Sequence, residues 1–190
     1  MKLLEEKILK EGKVLPGSVL KVDSFLNHQI DVRLLSEMAK EWHRLFENNG
    51  ITKILTIEAS GIGIACIAAE QFDVPVVYAK KTRGLNMSDD CYVSSVVSYT
   101  HGNTYSVIVS KPYISENDKV LIVDDFLANG SALKALINIC HAAGAEIAGS
   151  GIAIEKACQG GGKMIRDMGV RVESLAKILS IGKDGEIIFE

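Results

Sequence analysis

Four short, nearly uninterrupted apolar runs are spaced along this chain with helix-like stretches between them, and that alternation limits the fold more than any other feature. The runs are Lys53–Ile57, Val74–Ala79, Lys119–Val123 and Ile147–Ile154. Strands that are apolar at every position must be covered on both faces, which happens in parallel sheets flanked by helices. The helical stretches fit this. Leu34, Leu35, Met38, Ala39, Trp42, Leu45 and Phe46 share one helix face, after Asp31 as a cap and before a stop near Asn49-Gly50. A small-residue helix is predicted over 62–72, and another over 131–143 with Leu133, Leu136, Ile137 and Cys140 on its apolar face. The expected class is α/β, a parallel sheet flanked by helices.

The chain has 190 residues, 47% of them hydrophobic, enough for one domain with its own core. Residues 1–190 are therefore read as a single domain. The net charge of −3 disfavours a nucleic-acid binder held by phosphate neutralisation. Cys66, Cys91, Cys140 and Cys158 form no CxxC pair, so neither a zinc site nor a redox motif is written, and reduced thiols suit a cytoplasmic protein. The first twelve residues carry six charges, unlike a secretion signal, and the longest apolar stretch, 54–69, is too short to span a bilayer. Two regions break the alternation. Residues 82–103 contain alternating Tyr92, Val93, Val96, Val97 and Tyr99, which suits a hairpin outside the main sheet, either a moving lid or a static ribbon. The ends, about 1–31 and 156–190, are expected to pack together as a small hood.

Ligands of open α/β sheets bind beyond the carboxyl ends of strands. There, Val120-Leu-Ile-Val-Asp-Asp-Phe-Leu-Ala-Asn-Gly-Ser-Ala132 places two acids after a strand, then a small-residue loop, then a helix start. Such a loop forms an anion nest, and the acids, expected at a solvent-facing strand end, suit the hydroxyls of a vicinal diol. A turn with a helix cap and no ligand would use similar residues. The whole block resembles the phosphoribosyl-diphosphate (PRPP) signature of the type I phosphoribosyltransferases. The resemblance implies that Asp124 and Asp125 hold the ribose hydroxyls and that Ala128, Asn129, Gly130, Ser131 and Ala132 wrap the 5-phosphate. Asn129 departs from the threonine common at its position.

Further roles follow from the same resemblance. Glu58-Ala59-Ser60-Gly61 matches the family's pyrophosphate loop, where a non-proline cis peptide is common, so Ala59, Ser60, Gly61 and, past the second strand, Lys81 are expected on pyrophosphate. Lys80 and Arg83 are read as solvated. The 82–103 region matches a flexible loop that closes over the reacting centre. The family transfers ribose 5-phosphate from PRPP to a base with inversion, through a transition state of oxocarbenium character, with Mg²⁺ carried by PRPP. No protein ligand to the metal and no general base is assigned, and the four histidines show no catalytic pattern. Homodimers are common in the family, with the partner near Lys81.

The base is read from the termini. Hypoxanthine-guanine members usually carry a third acid where Ala128 stands. The stretch Leu20-Lys-Val-Asp-Ser-Phe-Leu-Asn-His-Gln-Ile-Asp31, with Ile154-Glu-Lys156, is similar to the bacterial members of the family that use xanthine, which implies base contacts from Leu20, Asn27 and Lys156. The chemistry agrees in part, since xanthine's oxygens at C2 and C6 need donors and adenine's 6-amino group would oppose Lys156. The substrates and products so implied are xanthine, PRPP, xanthosine 5'-monophosphate (XMP) and pyrophosphate. Guanine-, hypoxanthine- or adenine-preferring enzymes are the nearer alternatives. A PRPP-sensing regulator without turnover is the alternative of another class, and such proteins usually add a DNA-binding module.

Overall fold

The computed structural model describes residues 1–82, 90–97, 104–182 and 184–190. Arg83, His101 and most of the 82–103 loop lie outside the described residues. In chain order the elements begin with α1 (Lys2–Glu11), a hairpin of β1 (Lys13–Leu15) and β2 (Val19–Lys21), and a π-helical turn, Asp23–Asn27. Then come α2 (Val32–Phe46), β3 (Lys53–Ile57), α3 (Ser60–Phe72), β4 (Val76–Ala79), β5 (Cys91–Val97) and β6 (Thr104–Ser110). The chain continues through β7 (Lys119–Leu127), α4 (Ser131–Ala143), β8 (Glu146–Lys156), α5 (Gly161–Asp167), β9 (Val172–Ile181) and β10 (Ile187–Phe189).

The main sheet has six strands in the order β10-β9-β8-β7-β3-β4, all parallel except β10, which runs antiparallel to β9. Alternation along the strands divides the core into two layers. Leu121 and Val123 of β7 pack with α1, α2 and α3, whereas Val120 and Ile122 pack with α4 and the β5–β6 hairpin. The α/β class expected from the apolar runs is the class observed. Asp31 caps α2 by accepting from the Leu34 N–H at 3.1 Å, and α4 has the predicted limits. The helix predicted over 62–72 begins two residues earlier, at Ser60.

Two differences bear on the site. The strand predicted over 119–123 continues to Leu127, because β8 pairs with it at Asp124↔Ile152, Phe126↔Ile154 and Leu127↔Glu155. The 156–190 segment contributes more than a hood, since Val172–Ile181 extends the main sheet beside β8. The N-terminal ammonium donates to the Leu175 carbonyl of β9, which ties the first helix to that strand. The hairpin outside the main sheet is present as β5 and β6, and Ile108 of β6 bridges to Lys80, just past β4.

Candidate active site at the carboxyl ends of the central strands

The acid pair is buried: Asp124 is 6% exposed and Asp125 8%. This corrects the expectation of a solvent-facing strand end. The physical reason is the extra length of β7, which carries both residues past the point where the apolar run stops. Neighbouring strand residues face opposite sides of a sheet, and the two acids have different partners. Asp125 accepts from Asn27 Nδ2 at 3.0 Å, with the hood turn Asp23–Asn27 reaching down to it. Asp124 lies against Gly61, where a Cβ would stand 3.2 Å from its Oδ1 and would collide with the Thr56 hydroxyl. Burial, then the charge of Asp125, pushes the Asp124 carboxyl well above the usual range, with Lys81 opposing. Burial, followed by the charge of Asp124, also raises the Tyr105 phenol.

The proposed pyrophosphate loop therefore touches the acid pair through Gly61. Its Glu58–Ala59 peptide is cis. Glu58 Oε1 accepts from the Lys81 backbone N–H at 2.6 Å, and Lys81 Nζ stands 5.8 Å from the Tyr105 ring centroid. Thr56 was not singled out by its sequence context, yet its fully buried hydroxyl has no hydrogen-bond partner among the described residues.

Beyond the acids, Gly130 adopts φ +82° at the start of α4, a conformation that side chains rarely tolerate. Asn129 Oδ1 accepts from the Ser131 N–H at 3.0 Å, so the non-threonine residue folds back onto the nest. Ala128 and Ser131 are half-buried, as is Ala132. A second glycine run supports this loop from behind. The Gly161 N–H donates to the Ala128 carbonyl at 3.1 Å, and a Cβ on Gly161 would run into the Ala128, Asn129 and Gly130 backbone. The Gly160-Gly161-Gly162 triplet was the available signal of such close approach.

The base-side residues fare differently. Lys156 ends β8 half-buried, its ammonium 5.3 Å from the Phe126 ring centroid, and burial lowers its pKa. Phe126 directly follows the acid pair. Leu20 is 5% exposed and packs in the core with the hood's other apolar residues. Next to Lys156, Glu155 is buried, receives two 2.8 Å hydrogen bonds from Arg166 and one of 2.5 Å from Ser174, and leaves no room for a Cβ on Gly162. Burial raises the Glu155 carboxyl, but Arg166 and Ser174 outweigh it and leave it below the usual range.

Glu155→Gln should cost about 3 kcal/mol, the low end for breaking a buried pair, because Arg166 is 36% exposed and partly screened by solvent. The group's folded pKa is depressed, so its stabilisation is present above the ordinary value of 4.5 and lost as pH falls through the folded value. Thermal melts of both proteins against pH should therefore converge on acidification. A constant gap would count against the ion pair.

Residues 21–176 match the family profile described as the phosphoribosyl transferase domain. The chain belongs to the phosphoribosyl transferase domain family. It is 59% identical over 190 residues to a xanthine phosphoribosyltransferase of Clostridium novyi, with both chains covered completely. A xanthine phosphoribosyltransferase of Lachnoclostridium phytofermentans is 54% identical over 190 residues, which covers all of this chain and 98% of that one. Among solved structures, APRTase from Giardia lamblia superposes with a TM-score of 0.78 at 22% identity, covering 92% of this chain and 97% of that one. At that identity the likeness carries the phosphoribosyltransferase fold alone. Among the described residues no helix is long and apolar enough to cross a membrane.

Proposed function

We propose that this phosphoribosyltransferase converts xanthine and PRPP into XMP and pyrophosphate in purine salvage. The observation that carries the reading is the full-length identity of 59% and 54% with two proteins named for that activity. The donors favour the same base. Lys156 is a half-buried cation beside Phe126, suited to an oxygen at C6, and Asn27 supplies an amide suited to C2. Adenine meets a donor with a donor at C6.

In this reading Asp124 and Asp125 accept from the ribose hydroxyls. Ala128, Asn129, Gly130, Ser131 and Ala132 enclose the 5-phosphate, and Ala59, Ser60, Gly61 and Lys81 face pyrophosphate. Leu20 contacts the base together with Asn27 and Lys156. The acid pair also fits a divalent cation arriving on the diphosphate. Neither carboxylate makes a salt bridge among the described residues, and although burial is the main reason the Asp124 carboxyl is raised, the Asp125 charge that adds to it is what a cation would relieve. Mg²⁺ carried in by the diphosphate would supply neutralisation of the leaving group. The protein's share is to hold base and sugar in line, for which proximity supplies about 7–11 kcal/mol in favourable cases.

An assay of xanthine, guanine, hypoxanthine and adenine with PRPP and Mg²⁺ tests the reading, and xanthine is expected to be used best and adenine not at all. Equal use of adenine and xanthine would replace it with the adenine reading. No turnover of any of the four bases, with PRPP still bound, would favour the regulator. We also propose a cytoplasmic homodimer with Lys81 near the subunit boundary. Sedimentation at micromolar concentration should give twice 20.6 kDa, and a single species at 20.6 kDa would exclude the dimer.

A further inference from the structure

We propose that Glu155 and Arg166, which lie outside the reacting centre, set the affinity for the 5-phosphate by holding the 128–132 loop in shape through the Gly160–Gly162 turn. This rests on the reading of that loop as the 5-phosphate site. An anion nest works only where successive N–H groups face the anion and the carbonyls face away. Here a carbonyl is drawn back from outside the loop. The Gly161 N–H donates to the Ala128 carbonyl at 3.1 Å. The Ala128–Asn129 peptide is trans and planar, so its N–H points opposite to that carbonyl, away from Gly161 and into the loop. The contact leaves no slack. A Cβ on Gly161 would collide with the Ala128 carbonyl oxygen, and one on Gly130 would stand 3.3 Å from Gly161 Cα and 2.7 Å from Met164 Cε.

The turn is itself fixed by the ion pair. Gly161 opens α5, and Gly162 and Arg166, four residues apart, share the helix face that meets Glu155 of β8. A Cβ on Gly162 would overlap Glu155 Oε1, so the helix start lies directly on the carboxylate. Arg166 Nη1 and Nη2 donate to the two oxygens of Glu155 at 2.8 Å each, and Ser174 Oγ of β9 donates at 2.5 Å. Arg166 Nη2 also donates at 3.3 Å to the carbonyl of Val172, where β9 begins. A bidentate pair fixes both the distance and the rotation of the groups it joins. It locks β8, β9 and the start of α5 together, with Gly161 set against the phosphate loop. A buried ion pair adds little stability over apolar side chains of the same volume, so geometry is what this pair contributes. Glu155 and Arg166 are positioning residues.

The test compares product inhibition by XMP, which carries the 5-phosphate, with inhibition by pyrophosphate, which does not and is read to bind at the separate 59–61 loop. Arg166→Lys keeps the charge but loses the fork, and should weaken XMP about tenfold while pyrophosphate stays within about twofold. Gly161→Ala, which pushes on the Ala128 carbonyl without touching the ion pair, should give the same selective loss. If Arg166→Lys does not fold, Ser174→Ala removes one of the three bonds to Glu155 and should weaken XMP selectively by about threefold. A merely structural role would lower Tm and leave the ratio of the two inhibition constants unchanged. A wild-type ratio in folded Arg166→Lys, or in Ser174→Ala where that variant stands in, would overturn the proposal even beside a loss in Gly161→Ala. Equal weakening of both products would overturn it too. Ser131→Asp places a like charge inside the loop and should abolish XMP inhibition whatever the turn does. Undiminished XMP inhibition in that variant would overturn the reading of the loop itself, and the inference with it.

Discussion

Changing Asp124 and Asp125 together to asparagine should abolish measurable PRPP binding while the protein stays folded. Each carboxylate is proposed to accept a charge-assisted hydrogen bond from the ribose, and such bonds contribute about 1.5–3 kcal/mol apiece. Losing two weakens binding by roughly a hundredfold to ten-thousandfold. The fold should tolerate the change because the amide has the carboxyl's shape and its Oδ1 still accepts from the backbone N–H groups of Asp125 and Phe126. Stability should even rise near neutrality. Burial and the neighbouring charge raise the folded pKa of Asp124, so its favourable contribution is complete below 3.8 and is lost as pH rises through the folded value. An amide removes that penalty, and the gain in Tm should disappear in acid. The same titration makes PRPP affinity of the wild type climb with pH until Asp124 is ionised. Calorimetry with PRPP is decisive, since a folded double variant of unchanged affinity would mean that the acids do not hold the ribose.

Lys156→Ala should lower kcat/KM for xanthine and guanine together, by about tenfold to a hundredfold, as expected for about 1–3 kcal/mol from one unmatched polar group. Both bases carry the oxygen at C6 that the ammonium addresses, so their ratio should hold. This separates Lys156 from Asn27, which is proposed to address C2. Burial lowers the lysine's pKa, so its charge disappears on the alkaline side sooner than that of an exposed lysine. Xanthine use should accordingly fall at high pH in the wild type, and this alkaline limb should be missing from Lys156→Ala. A variant that loses xanthine but keeps guanine would remove Lys156 from C6.

Local signals were legible along the chain, and they account for the class of fold. The apolar run of Lys53–Ile57, the Asp31 cap and the limits of α4 depend on residues within a few positions of each other. The Asp-Asp pair and the small-residue loop were legible for the same reason. Thr56, Phe126 and Arg166 were not, because each stands in an unremarkable local context. Their significance comes from neighbours on other elements. Glu155 meets Arg166 and Ser174 across gaps of 11 and 19 residues, and Asn27 meets Asp125 across 98. β9 was missed as a sheet strand because Glu173 and Lys177 interrupt its apolar run, and its place beside β8 is set by the parallel register Ser150↔Val172. What the sequence by itself determined is periodicity, caps and turns, since these follow from bonds along one segment. The burial of the acid pair, the hydrogen bond from Asn27 to Asp125 and the support behind the phosphate loop were decided by the tertiary structure, because they depend on which elements meet and in what register, and no local pattern specifies that.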